Sequence, residues 1–182
     1  MSTQPADILE FWFSTPMNQH WFSSTEAIDQ QIRDQFEALW KSAANGELDE
    51  WKSTPEGCLA LCIVLDQFPL NMYREEGRRY STEQMAVEVS LYAVMKRFDQ
   101  QLTDTQKAFL YMPLMHSESI EHQDTSVALF DAAGLEENLT FAEHHREIVQ
   151  RFGRFPHRNQ ALGRESTQEE IEWLASDEGY RA

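Results

Sequence analysis

The nine residues RFGRFPHRN, Arg151 to Asn159, put three arginines and a histidine into a chain whose 31 acidic residues outnumber its 15 basic ones. From Arg146 to Arg164 the chain places five of its eleven arginines against one acid, Glu147, and His144, His145 and His157 lie in or beside the same window. A local field opposite in sign to the overall charge of −16 would confine anions to one place. The planar guanidinium fork suits a carboxylate or a phosphate, each charge-assisted bond contributing about 1.5–3 kcal/mol. Part of the clustering has a structural cause. Gly153 is expected to end the preceding helix, which leaves Arg151 and Arg154 near a C-terminus, where the macrodipole favours cations. The same arginines would serve equally to pair with the abundant carboxylates and tie helices together.

Two other stretches carry groups that could do chemistry. In DQFPLNMYR, Asp66 and Gln67 fall in the last turn of a very apolar helix, where a negative charge opposes the dipole and calls for a cation such as Arg154 or Arg158. Asn71 and Arg74 would satisfy the turn, and Asp66 would act as an orienting carboxylate or general base. In MHSESIEHQD, residues 115–124, His116, Glu118 and His122 offer imidazole and carboxylate groups. On a regular helix His116 and Glu118 stand about 200° apart, so they converge only if Pro113 leaves the segment irregular. His144 and His145 are adjacent, so only one of them can face the interior.

Several familiar chemistries lack their motifs. HExxH, paired CxxC and ExxH are all absent, so no metal is assigned and no cofactor is called for; a metal on His116, Glu118 and one of His144 and His145 is the lesser reading. GxGxxG, the phosphate loop and the GxSxG elbow are missing too, and Ser117 and Ser166 are poor nucleophile candidates.

The elements that must position these groups read as helices. Ile28, Ile32, Phe36, Leu39 and Trp40 recur with helical period, and no hairpin punctuation joins alternating runs. Helix starts are marked by Thr3 before Pro5, by Thr54 before Pro55, and by capping boxes at Ser81 with Gln84, Thr103 with Gln106, Thr140 with Glu143 and Ser166 with Glu169. Stops are expected at Gly46, Pro69, Gly134 and Gly153, and Pro113 should kink or end its helix near Met112. The result is an all-α chain of about eight helices in a single domain over residues 1–182, with connections too short for a linker. One internal echo is visible, QFPLN followed by GRRYSTEQ and RFPHRN followed by GRESTQEE, which either chance convergence of stop and start signals or a duplicated helical hairpin would give.

Taken together, ILEFWF, LDQFPLNMYR, FLYMPLMHSE and RFGRFPHRNQALGRES resemble the bacterial domain-of-unknown-function 924 family nearly from end to end. The resemblance implies an all-α fold of the tetratricopeptide-repeat-like superfamily and no established activity. The family usually places a basic residue after the first FP, where this chain has Leu70.

Bulk properties narrow the partners. A charge of −16 repels phosphate backbones and anionic membranes, which excludes general nucleic-acid binding, and the longest apolar run, CLALCIVL, is far short of the roughly 20 residues that span a bilayer. The N-terminus has no cationic flank and carries Asp7 and Glu10, unlike a secretory signal, so a soluble cytoplasmic protein is expected. Cys58 and Cys62 read as buried, inert thiols, and Phe11, Trp12, Phe13, Trp21 and Phe22 as a core plug. The functional expectation is a polar pocket of Asp66, Gln67, Asn71, Arg74, His116, Glu118, Arg154, His157, Arg158, Asn159 and Arg164. It would bind a small anionic ligand or a peptide carboxylate, with Asp66 fixing the arginines. The alternatives are a hydrolase using His116 or His157 with Asp66 or Glu118, and a protein-interaction scaffold.

Overall fold

The computed structural model describes residues 3–74, 76–176 and 179, and every regular element among them is helical. In chain order the α-helices are α1 (Pro5–Phe13), α2 (Thr15–Asn18), α3 (Glu26–Ala44), α4 (Pro55–Cys62), α5 (Phe68–Met72), α6 (Glu83–Met95), α7 (Asp104–His116), α8 (Ile120–Ala132), α9 (Glu136–Phe152) and α10 (Gln168–Leu174). Internal contacts divide the chain into two compact units, Met1–Arg74 with Arg78–Pro113, and Glu75–Gly77 with Leu114–Ala182.

In the first unit α4 is buried on every side from Gly57 to Cys62, as its apolar sequence there demands, and α1 and α6 pack against it. Gly57 is required there, because a Cβ would meet the Trp51 carbonyl oxygen at 1.9 Å. Amphipathic α3 buries Ile32, Phe36, Trp40 and Ala43 on one stripe. Trp12 plugs the core edge-on to Phe68 and Phe109, but Phe22, read as part of the same plug, lies 79% exposed. Cys58 and Cys62 are fully buried, and burial pushes the Cys62 thiol far above its usual range, which leaves it inert.

Pro69 does not stop its helix. After α4 the chain makes one π turn, Ile63–Gln67, closed by the Phe68 amide on the Ile63 carbonyl, and α5 continues through the proline. Pro69 has no N–H for the carbonyl of Leu65 four residues back, so Thr82 Oγ1 donates to it at 2.6 Å and accepts from Trp40 Nε1 at 3.0 Å. Pro113 likewise lies inside α7, which ends at His116 rather than Met112, and Ser90 Oγ donates to the neighbouring Leu110 carbonyl at 2.6 Å. The two FP segments of the internal echo therefore differ: the first is helical, whereas the second follows a finished helix.

In the second unit α8 and α9 form a helical hairpin turned at Gly134, with φ +68°. Its core gathers Ile148, Val149, Phe155 and Trp173. Several starts shift from the expected residues. Gln4 rather than Thr3 caps α1, Thr82 rather than Ser81 precedes α6, and Thr140 lies inside α9. The last capping box pairs Thr167 with Glu170 rather than Ser166 with Glu169. Thr54, Thr103 with Gln106, and Gly153 stand where the sequence puts them.

Candidate functional site

The arginine-rich window takes its shape from the end of α9. Gly153 adopts φ +70°, which a glycine takes without strain, and turns the chain out of the helix. Phe155 follows in extended conformation, fully buried, and residues Pro156–Arg158 make a 3₁₀ turn. Phe155 becomes the hub of a cluster of imidazole rings and a guanidinium. The rings of His145 and His157 lie 5.5 and 5.6 Å from its ring, the Arg158 guanidinium stands over it at 4.6 Å, and the ring of His116 is 6.4 Å from that of His145.

Of the adjacent pair, His145 faces inward. Its Nδ1 lies 2.7 Å from the Phe141 carbonyl, which can only accept, so Nδ1 carries the proton. Burial, then the neighbouring His116, His144 and Arg158, push its pKa down to about 4, against the opposing pull of the Phe141 bond. Arg158 is also buried and donates to the His116 carbonyl at 2.6 Å.

Arg154 and Arg164 are each clasped by a carboxylate. Arg154 grips Glu170 through Nε and Nη2 at 2.7 and 2.8 Å, and donates to the Glu165 carbonyl at 2.8 Å. Glu170 is 2% exposed; Arg154, with help from the Thr167 amide and Asn159, outweighs burial and pulls its pKa down to about 2. Arg164 grips Glu118 through both Nη atoms at 2.7 and 2.9 Å and donates through Nε to Asn159 Oδ1 at 2.9 Å. Glu118 also accepts from the Phe155 amide at 2.8 Å. Burial alone would raise the Glu118 pKa, but the bonds from Arg164 and that amide, with the charge of Arg158, hold it below the usual carboxylate range. The carboxylates on Arg154 and Arg164 are thus Glu170 and Glu118, a part that the sequence reading gave to Asp66. Sequence gives Glu170 no distinct signal of this role, since Ser166 with Glu169 fits the capping-box pattern equally.

The remaining expected residues belong to the first unit. Asp66, Gln67 and Asn71 are buried around the π turn; Gln67 Nε2 donates to Asp66 Oδ2 at 2.5 Å and Asn71 Nδ2 to the Gln67 carbonyl at 2.9 Å. Arg74 pairs with Asp29 through Nε and Nη2 at 2.9 and 3.2 Å, a partner with no signal in the local sequence. Back in the second unit, the segment beyond Pro113 is irregular after His116, and Ser117 Oγ lies 2.8 Å from His122 Nδ1 while accepting from the Ser119 amide. Among the described residues no three His, Cys, Asp or Glu side chains come together to hold a metal ion, and no helix is long and apolar enough to cross a membrane.

These features define an all-helical protein with an imidazole and guanidinium cluster beside two arginine–carboxylate clasps. The family model for bacterial proteins of unknown function DUF924 matches residues 8–178, and the chain belongs to that family. It is similar to a solved structure described as that of a protein of unknown function from Agrobacterium tumefaciens, with 38% sequence identity, a TM-score of 0.89, and coverage of 94% of this chain and 96% of that one. Among curated proteins, none matches the chain.

Proposed function

We propose that the protein binds a small anion, a phosphorylated or carboxylated metabolite or a peptide carboxylate, at the cluster around Phe155. The observation that carries this reading is the convergence of His145, His157 and Arg158 on one buried ring, with His116 beside His145, in a chain of charge −16. Arg154 and Arg164 take a supporting part in this reading, holding the loop that carries His157 and Arg158.

The test is a thermal-shift titration at low ionic strength with inorganic phosphate, citrate and a peptide with a free C-terminus, on wild type and on His157→Gln. A ligand at a hundred times its dissociation constant adds about 2.7 kcal/mol, a rise of roughly 5–10 °C for a chain of this size. We expect at least one anion to give that rise and His157→Gln to reduce it. No rise with any anion on the wild type overturns the reading.

A further inference from the structure

The cluster around Phe155 carries less positive charge than its residue types suggest. Arg154 and Glu170 cancel through one clasp, and Arg164 and Glu118 through the other. Among the charged groups that the end of α7, α9, the loop beyond it and α10 bring to the cluster, Arg158 is then left as one net positive charge. The side chains of Glu143, Glu147 and Glu165 are exposed and bond to none of these groups. His116, His144, His145 and His157 add charge only when protonated. Burial, the largest cause, holds the His145 pKa at about 4, so this ring is neutral at pH 7.

A neutral imidazole is a poor host for an anion, because one of its two nitrogens presents a lone pair and only the protonated ring donates at both. His145 shows the point: its Nδ1 proton goes to the Phe141 carbonyl, which makes Nε2 the lone-pair nitrogen. His116, in ring contact with His145, and His157, in ring contact with Phe155, are half-buried, so a proton on either costs less desolvation than one on His145. A singly charged anion is balanced by Arg158 alone. A doubly charged one leaves an excess negative charge in a partly buried place, and a proton on one of these two imidazoles removes it. On the reading that the Phe155 cluster binds an anion, we infer that a doubly charged anion enters it together with a proton, held by His116 or His157. The site therefore tightens on dianions as pH falls, whereas a monoanion needs no proton.

The experiment titrates the full ¹⁵N- and ¹³C-labelled chain with sodium sulfate and with sodium methanesulfonate at constant ionic strength. The series runs from about pH 7.5 to about pH 5.5, where histidine titrates and neither probe changes its own charge. Backbone amides of residues 153–159 report affinity, and the imidazole carbon signals report the protonation of each histidine. Sulfate affinity should rise about tenfold over this range, and methanesulfonate affinity less than about twofold. Saturating sulfate should raise the titration midpoint of His116 or His157 by about one pH unit, the same coupling read from the proton's side. The double variant His116→Gln, His157→Gln should flatten the sulfate profile to that of methanesulfonate, and the ring titration on the wild type does not depend on that variant folding. Profiles of equal slope for the two probes, or midpoints that sulfate leaves unmoved, would overturn the proton coupling and leave the anion site standing. Binding of phosphate without any of sulfate at the acid end would overturn the coupling as well. Failure of sulfate, methanesulfonate, phosphate and citrate alike would remove the site, and the coupling with it.

Discussion

Glu118 accepts three hydrogen bonds from two directions, from the Arg164 fork and from the Phe155 amide, and so joins the turn after α7 to the loop after α9. A carboxylate held in that way is distinguishable from one kept for catalysis. Active-site groups are commonly maintained at a cost to stability, so their removal leaves the fold unchanged or firmer. A clasp behaves oppositely. Glu118→Gln preserves shape but removes the charge that makes these bonds strong, and it leaves a half-buried guanidinium short of its partner. The expected loss is about 1.5–3 kcal/mol in urea unfolding, with Arg164→Gln similar and the double variant losing less than the two single losses added together. An unchanged midpoint for Glu118→Gln would return this residue to the list of catalytic candidates.

At the scale of the element, the π turn shows how a helix passes through a proline. The Leu65 carbonyl, deprived of a Pro69 amide, is supplied by Thr82 Oγ1, and the same oxygen receives the Trp40 indole N–H. Replacing Thr82 with Val strands a buried acceptor and a buried donor together, so a loss of about 3 kcal/mol is expected, whereas Thr82→Ser keeps both bonds and costs about 1 kcal/mol for the missing methyl. Equal losses for the two variants would show that packing, not the relay, matters at this position. The relay also explains why the stop at Pro69 was misread. The proline is local information, but its remedy lies 17 residues away from Leu65, just before another helix. Thr140 fails for a related reason. A cap contributes only about 1 kcal/mol, and α9 already starts at Glu136, so the Thr140 hydroxyl donates back to the Glu136 carbonyl at 3.1 Å inside the helix instead of capping it. At Ser166 and Thr167 two adjacent residues satisfy the same pattern, and sequence alone does not choose between them, whereas at Ser81 the box with Gln84 is present but α6 starts one residue later, after Thr82. Helical period, Thr54, Gly153 and the arginine-rich window were legible because each signal is carried by residue types close together. Glu118 and Glu170 were not legible as clasps, standing 46 and 16 residues from the arginines they hold.

For the whole molecule, the balance between net charge and buried titratable groups fixes the response to acid. Lowering pH from neutrality protonates surface carboxylates and relieves the self-repulsion of a charge of −16, which favours the folded chain. Two buried groups act the other way. His145 titrates at about 4 when folded and near 6.5 when unfolded, so between these values the unfolded chain binds the extra proton. Its contribution is complete above pH 6.5 and is lost as pH falls to 4, up to about 3 kcal/mol in all. Glu170, at about 2 when folded against 4.5 unfolded, contributes above pH 4.5 and loses that contribution as pH falls towards 2. Salt at about 0.15 M screens repulsion between exposed charges over a Debye length of about 8 Å but leaves buried groups largely unaffected. In that buffer the buried groups should prevail. The urea midpoint should fall steadily from pH 7 to pH 4, and His145→Gln, though less stable at pH 7, should flatten that limb while retaining the further fall below pH 4.5. A midpoint that rises on acidification in the same buffer would mean that relief of surface repulsion outweighs both buried groups. A His145→Gln limb as steep as that of the wild type would mean that His145 does not set the acid response.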